Sequence, residues 1–381
     1  MDAGNRIYLD HNSTTVIDSA VVASMGALEG LPLNPSSAHA SGRRAAALFE
    51  AAQADMARLV GARVEEIVVT SGGTESNALA MFGAMASAGR RPGHLVVSAI
   101  EHPSVIEAAR RLAESGAAVT FVAPGPDGAV DPAAMADAFL PETMLAAMMM
   151  VNNETGVIQD VSGLAGVARP LGITVFSDAV QAAAKLPIRV DDLGVDLLSV
   201  SGHKFHGPLG TGFLYFRDGT RLKPILAGGT QQRGLRPGTE NVPGAVGLAV
   251  ACRDAVERIG GDTERMRGLR DALEREVINS IDDVVINGRI RPRVCNTSSL
   301  TVRGVDAGVL LAILDLDGIA VSAGSACAAL GGEPSHVLTA MGLSARDAMS
   351  TIRVSFGREN SPGDVDRFVE TLRRAVRRIR A

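Results

Sequence analysis

Glu66-Ile67-Val68-Val69-Thr70-Ser71-Gly72-Gly73-Thr74-Glu75-Ser76-Asn77 runs from a short apolar strand, through two glycines, into a helix expected to continue to Ala88. A strand of this kind, without polar alternation, is buried on both faces. Upstream, residues 43–60 (RRAAALFEAAQADMARLV) form an Ala-rich helical stretch. Downstream, further strands are expected over 94–100, 119–123, 146–151, 173–176, 197–200 and 211–216, several with helical patterns between them. The alternation from Ser36 to Asp196 is that of stacked βαβ units around a mainly parallel sheet, so the fold class is α/β.

At 381 residues and roughly 150 per domain, the chain accommodates one large and one smaller domain. A glycine- and proline-rich stretch, 227–243 (AGGTQQRGLRPGTENVP), reads as a long functional loop. Beyond it, helices over 244–259 and 262–278, strands near 299–302 and 351–356, and a terminal helix describe a smaller α+β region.

Charge and composition narrow the function classes. Lysine and arginine number 37 against 42 acidic residues, a net charge of −5. That balance carries no footprint for gripping phosphate backbones, so no direct nucleic-acid partner is expected. Hydrophobic residues at 46% and charged ones at 21% exclude a chain disordered throughout. The N-terminus, MDAGNRIYLD, lacks a basic start and an apolar core, and no apolar run approaches the roughly 18 residues of a membrane span. Neither export nor a membrane partner is expected. The cysteines, Cys252, Cys295 and Cys327, form an odd set without a Cys-x-x-Cys pair, giving neither a disulfide framework nor a thiolate metal site. A reducing cytoplasm suits them, and no metal is expected. Lysine occurs only at Lys185, Lys204 and Lys223, so a chemistry that needs a neutral amine has three candidates.

Four segments carry residues that a buried core does not choose. In the opening turn, Gly72-Gly73-Thr74 at a helix start offers free backbone N–H groups and a dipole to an anion. It matches neither a Walker loop nor a dinucleotide turn, so a single phosphate is the better fit, with a plain capped turn as the alternative. Val175-Phe176-Ser177-Asp178 is an apolar strand ending in a carboxylate, which suits a cationic ring nitrogen or a helix cap. Ser199-Val200-Ser201-Gly202-His203-Lys204-Phe205-His206 places a lysine after another apolar strand, where burial can free its amine for a Schiff base. A His203/His206 metal pair competes there, without an evident third ligand. Finally, Gly324-Ser325-Ala326-Cys327 sets one thiol among small residues in what is expected to be a mobile loop, where a nucleophile is better placed than in a core.

In this combination and order the chain resembles the class V, fold-type I pyridoxal phosphate enzymes, specifically cysteine desulfurases of the NifS and IscS group. The resemblance runs from Tyr8-Leu9-Asp10-His11-Asn12-Ser13-Thr14-Thr15 to Arg353-Val354-Ser355-Phe356-Gly357-Arg358. Between them lie Asn34-Pro35-Ser36-Ser37, Glu101-His102-Pro103, Asn152-Asn153-Glu154-Thr155-Gly156, Asp178-Ala179-Val180-Gln181 and Arg236-Pro237-Gly238-Thr239-Glu240-Asn241. It implies a large domain (16–258) with a mainly parallel seven-stranded sheet. A smaller α+β domain (259–381) carrying the cysteine loop would be joined by the N-terminal segment (1–15).

The resemblance also implies roles. Lys204 would bond to the aldehyde of pyridoxal 5'-phosphate, and His102 would stack on its ring and assist proton transfers. Asp178 would pair with the ring nitrogen, while Gln181 and Asn153 would sit near the phenolic oxygen. Gly73, Thr74, Ser201 and His203 would hold the phosphate, with Thr239 reaching in from the second subunit of a homodimer. Arg353, with Asn153, would bind the substrate carboxylate. L-cysteine would be converted to L-alanine, and Cys327 would take its sulfur as a persulfide for a protein acceptor.

Some positions depart from the family pattern: Phe176 for a frequent histidine, Ala184 for glycine, Leu209 for lysine, and Leu33 where glycine is common. None removes a residue assigned to bond making. Cys327 stands eight positions before Ser335, a long loop of the NifS and IscS kind that favours direct handover of sulfur. The chain ends right after its terminal helix, which points away from the housekeeping iron–sulfur role. Nitrogenase clusters, tRNA thiolation or DNA phosphorothioation of the DndA kind are the destinations left, with a tilt to the last. The rival readings are a selenocysteine lyase, an aminotransferase and a non-catalytic pyridoxal phosphate-binding partner protein.

Overall fold

The structure, a computed structural model, describes residues 6–87, 93–324 and 333–381. Strand β1 (Ile7–Tyr8) is followed by α1 (Ser19–Gly26) and α2 (Ala40–Val60), and then by the large sheet. Its strands are β2 (Ile67–Thr70), β3 (His94–Ser98), β4 (Ala118–Val122), β5 (Thr143–Ala147), β6 (Thr174–Asp178), β7 (Leu197–Ser201) and β8 (Gly212–Phe216). Between them lie α3 (Gly73–Ser87), α4 (Pro103–Glu114), α5 (Pro132–Asp137), α6 (Val161–Ala168) and α7 (Val190–Leu193).

The strand order is β2-β8-β7-β6-β5-β3-β4. Only β8 is reversed, pairing antiparallel with both β7 and β2, so the sheet is mainly parallel as its apolar runs imply. Alternate residues feed two cores. Val68, Val97, Phe176 and Leu214 pack with Leu79, Met81 and Val105 of α3 and α4. Val69, Val96, Val175 and Phe213 face the other way, toward Met56, Leu164 and Leu248 of α2, α6 and the following long helix. Edge strand β2 is closed by a side chain: the Gln232 amide accepts from Val69 N (2.6 Å) and donates to Val69 O (2.9 Å), standing in for a neighbouring strand.

That long helix, α8 (Val242–Ser280), runs unbroken where two helices were expected. Gly260 and Gly261 weaken it, each by about 1 kcal/mol in propensity. The buried row Ala255, Met266, Leu269, Leu273 and Val277 carries it across them. Next come β9 (Val284–Ile286), β10 (Thr297–Val302), α9 (Ala307–Leu316), β11 (Ile319–Ala320), β12 (Ser322–Ala323), α10 (His336–Ala340), α11 (Ala345–Met349), β13 (Thr351–Ser355) and α12 (Pro362–Arg380). The four antiparallel strands β12-β13-β10-β9 form a second sheet. The chain start joins this region, with Ile7 of β1 paired in parallel register with Ile319 of β11 and Asp10 bridging Ser355.

This topology gathers the chemistry. The C-terminal ends of β6 and β7, the start of α3 after β2, the segment after β1 and strand β13 meet at one edge of the large sheet, where ligands of open α/β sheets bind.

Candidate active site

At that edge lies a cavity of about 380 Å³, lined by residues from each of these elements. One wall is the turn into α3. Gly72 has φ +144°, and a Cβ on Gly73 would stand 2.8 Å from Val180 Cγ2, so the backbone approaches as only glycine allows. Gly73, Thr74, Ser201 and His203 all line this wall. The first turn of α3 is braced from outside the cavity: Glu75 accepts from Ser71 N (2.7 Å) and from Arg236 Nε (2.9 Å). Free N–H groups at the start of a four-turn helix make the wall an anion site.

The floor is a polar chain. Asp178, buried at the end of β6, accepts from Val180 N (2.9 Å) and from Asn77 Nδ2 (2.7 Å). The helix-cap alternative for Asp178 does not arise, because turns rather than a helix follow β6. Asn77 Nδ2 also donates to Ser104 Oγ (2.8 Å), which lies 2.8 Å from His102 Nδ1. His102 caps α4 by accepting from Ser104 N (3.2 Å), which leaves Nε2 as the protonated nitrogen of the neutral ring. Loss of hydration lowers the His102 pKa, opposed by Asp178 and reinforced by Lys204 and His336. Asn77 Oδ1 is buried without a partner among the described residues.

Lys204 closes the short turn after β7, its amine donating to the backbone carbonyls of Asn12 (2.7 Å) and Ser13 (2.8 Å). Burial, with Arg353 nearby, lowers its pKa to about 8, against the pull of Asp178 and Asp10. A substantial neutral fraction near physiological pH is what a nucleophilic amine requires. His203 is lowered to about 4 by burial and by Lys204, so its ring is neutral. His206 turns its Nδ1 to Val16 O (2.8 Å) and lies 3.6 Å from Glu359.

Arg353 on β13 is buried and anchored through both terminal nitrogens. Nη2 donates to Asp10 Oδ1 (2.9 Å) and Ser13 Oγ (2.9 Å), and Nη1 to Asn153 O (3.0 Å). Its Nε has no partner among the described residues, although the side chain lines the cavity. An unpaired donor on a buried guanidinium is costly and calls for an acceptor.

The structure therefore brings Gly73, Thr74, His102, Asn153, Asp178, Gln181, Ser201, His203, Lys204 and Arg353 to one cavity. Thr239 is exposed and does not line it. Cys327 lies outside the described residues; Ser322 and Gly324 before it and His336 after it line the cavity. Asn12, Ser13, Asn77 and Ser104 were given no role from sequence, and Lys185 only a place among three candidate amines. Asn12 and Ser13 stood within a quoted motif, but an asparagine or serine carries no chemistry of its own until its partners are known. Glu154, with its carboxyl pKa raised by burial, accepts from Ser335 Oγ (2.5 Å) and also lines the cavity.

The aminotransferase class-V model matches residues 7–368. A cysteine desulfurase of Gluconacetobacter diazotrophicus is 40% identical over 99% of this chain and 94% of its own length. A NifS-like protein superposes with a TM-score of 0.91 at 33% identity, covering 97% of this chain and 99% of that one. A structure titled SspA in complex with cysteine superposes at 0.83 and 33% identity, covering 94% and 100%. The chain belongs to the aminotransferase class-V family, whose enzymes depend on pyridoxal 5'-phosphate. Within that family its similarity is to the cysteine desulfurases. The donor set fits the cofactor. A glycine cradle and helix start suit a phosphate, a buried carboxylate suits a ring nitrogen, and an amine titrating near 8 suits an aldehyde.

Proposed function

We propose that the protein is a cysteine desulfurase that converts L-cysteine to L-alanine and carries the sulfur as a persulfide on Cys327 to a protein acceptor. The observation that carries this reading is the meeting of Arg353 and Lys204 in one cavity. A guanidinium shares its cavity with a lysine of depressed pKa, a cation for a carboxylate and an amine beside it, which is the arrangement an α-amino acid needs.

In this reading Gly73, Thr74, Ser201 and His203 hold the cofactor phosphate, and Asp178 the ring nitrogen. His102 lies on the ring face, Gln181 and Asn153 beside the phenolic oxygen, and Lys204 at the aldehyde carbon. When bound, pyridoxal 5'-phosphate supplies an electron sink for bonds cleaved next to the substrate nitrogen. Arg353 and Asn153 seat the substrate carboxylate, which fixes the α-carbon relative to Lys204. Lys204 Nζ takes the α-proton, and His102 exchanges protons at Nε2, its Nδ1 being held by Ser104. The thiolate of Cys327 then attacks the substrate sulfur. A sulfur–sulfur bond forms, the carbon–sulfur bond breaks, the electron pair left on the β-carbon takes up one proton, and Lys204 returns the α-proton, which gives L-alanine. The sulfane sulfur of Cys327 passes to the acceptor.

The finer picture is of a cytoplasmic homodimer in which Thr239 of one copy reaches the phosphate wall of the other. Large (16–258) and small (1–15 with 259–381) domains would meet inside α8 and divide the site, with Lys204 and Asp178 on one and Arg353 and Cys327 on the other. The sulfur goes to iron–sulfur assembly, tRNA thiolation or DNA phosphorothioation. Among the described residues no helix is long and apolar enough to cross a membrane.

The test is product stoichiometry. Cofactor-loaded protein given L-cysteine and a thiol reductant should release alanine and sulfide in equal amounts, and a Cys327→Ala variant that still binds the cofactor should release neither. Turnover that instead depends on an added keto acid would make it an aminotransferase.

A further inference from the structure

Lys185 is a buried lysine that the proposed chemistry does not use. It lies four residues beyond Gln181, and its amine nitrogen donates to Gln181 Oε1 at 2.7 Å, with Asn12 Oδ1 at 3.4 Å. Gln181 Nε2 in turn donates to Asn12 O (2.9 Å), the same carbonyl that accepts from Lys204 Nζ (2.7 Å). Asn12 is pinned from the other side, its Oδ1 accepting from Asn296 Nδ2 (3.2 Å) and its Nδ2 donating to Thr297 Oγ1 (2.9 Å).

A glutamine amide has two nearly isosteric ends, and its neighbours decide which faces where. Here both neighbours agree. The backbone carbonyl of Asn12 only accepts, so it claims the amide nitrogen, and the Lys185 nitrogen donates to the amide oxygen that this leaves facing it. The nitrogen uses one of its two hydrogens on Asn12, and the second remains available on a side chain that lines the cavity. We propose that Lys185 is a positioning residue that locks the Gln181 amide with its N–H group toward the cofactor's phenolic oxygen. Without the lysine, the amide oxygen loses its donor and only the Asn12 carbonyl holds the nitrogen, so the amide turns more easily to set its oxygen at that position, where two acceptors would meet.

Burial lowers the lysine's pKa, opposed by Cys295 and reinforced by Lys204 and Arg353. This inference rests on the placing of Gln181 beside the phenolic oxygen, so the experiment separates the two. The readout is the pH midpoint of the visible absorbance band of the pyridoxal phosphate-loaded protein, with thermal unfolding of each cofactor-free variant as the check on folding. A donor on the phenolic oxygen competes with the proton shared between that oxygen and the Lys204 nitrogen, so its loss raises the midpoint. Gln181→Ala should raise it by about one unit, the size of one hydrogen bond to a charged oxygen. Lys185→Met, which keeps the volume and removes the donors, should raise it to a similar extent. Lys185→Gln, which retains a donor, should stay near wild type, and it carries the test if the methionine variant does not fold. A rise in Q181A with none in K185M, or a rise in K185Q as large as in Q181A, overturns the role of Lys185 and leaves that of Gln181. No rise in Q181A itself removes both.

Discussion

Arg353 shows how much one side chain's unfinished bonding says about a substrate. Two nitrogens are spent on Asp10, Ser13 and Asn153, which fix the plane of the guanidinium, and the third is buried without a partner among the described residues. Lysine keeps the charge and loses the fork. Arg353→Lys is therefore expected to raise the KM for L-cysteine about tenfold or more while kcat changes less, because the carboxylate is held alike before and during bond cleavage. An unchanged KM in steady-state alanine release would show that the carboxylate binds elsewhere. At this scale the sequence was legible where a residue type implies its own chemistry, as for Lys204 and Asp178, while Arg353 came through the family resemblance; all three reach the cavity. It was opaque for Asn77 and Asn12, whose importance is entirely relational. Asn77 matters because one amide nitrogen joins Asp178 to the Ser104–His102 pair, two segments far apart in the chain.

Elements place these residues, and the turn into α3 is the most demanding of them. A methyl group on Gly73 would press on Val180, which follows Asp178, so Gly73→Ala pushes the phosphate wall against the ring floor. The variant is expected to fold, since overpacking of this size costs about 1–3 kcal/mol, but to bind pyridoxal 5'-phosphate at least tenfold more weakly in absorbance titrations of the cofactor-free protein. Wild-type affinity would place the phosphate away from this turn. The strands were readable because each is a short apolar run, and all seven of the large sheet fall on or beside their expected positions. The strand expected over 146–151 lies instead at Thr143–Ala147, although the chain beyond it keeps sheet-like bonds from Met148 N to Phe176 O (3.1 Å) and Met150 N to Asp178 O (2.9 Å). The glycine pair in α8 misled because local propensity is weak against a continuous buried row. The two-residue strands β1, β11 and β12 carry too few residues to show any period.

The whole molecule bears the cost of holding basic groups in its interior. Burial takes Lys185 from 10.5 to about 7. Between those values the unfolded chain keeps a proton that the folded chain has given up, so stability climbs as pH rises through that window. In denaturant unfolding of the cofactor-free protein, the difference in stability between wild type and Lys185→Met should shift in favour of wild type from pH 7 toward pH 10, by roughly 1.4 kcal/mol per unit at most. Parallel curves would mean that Lys185 keeps its proton in the fold.

The segment after β1 and strand β13 converge with the sheet's switch edge so that an amine, a carboxylate and a guanidinium face one cavity. The central claim is that the sulfur leaving L-cysteine rests on Cys327. It is tested most directly by mixing the cofactor-loaded protein with sulfur-labelled L-cysteine for one turnover without reductant, then alkylating, digesting and weighing the peptides. The account predicts one added labelled sulfur on the peptide containing Cys327 and none on those containing Cys252 or Cys295, whose thiols are buried with raised pKa values. Alanine formed with no sulfur on Cys327 would contradict it.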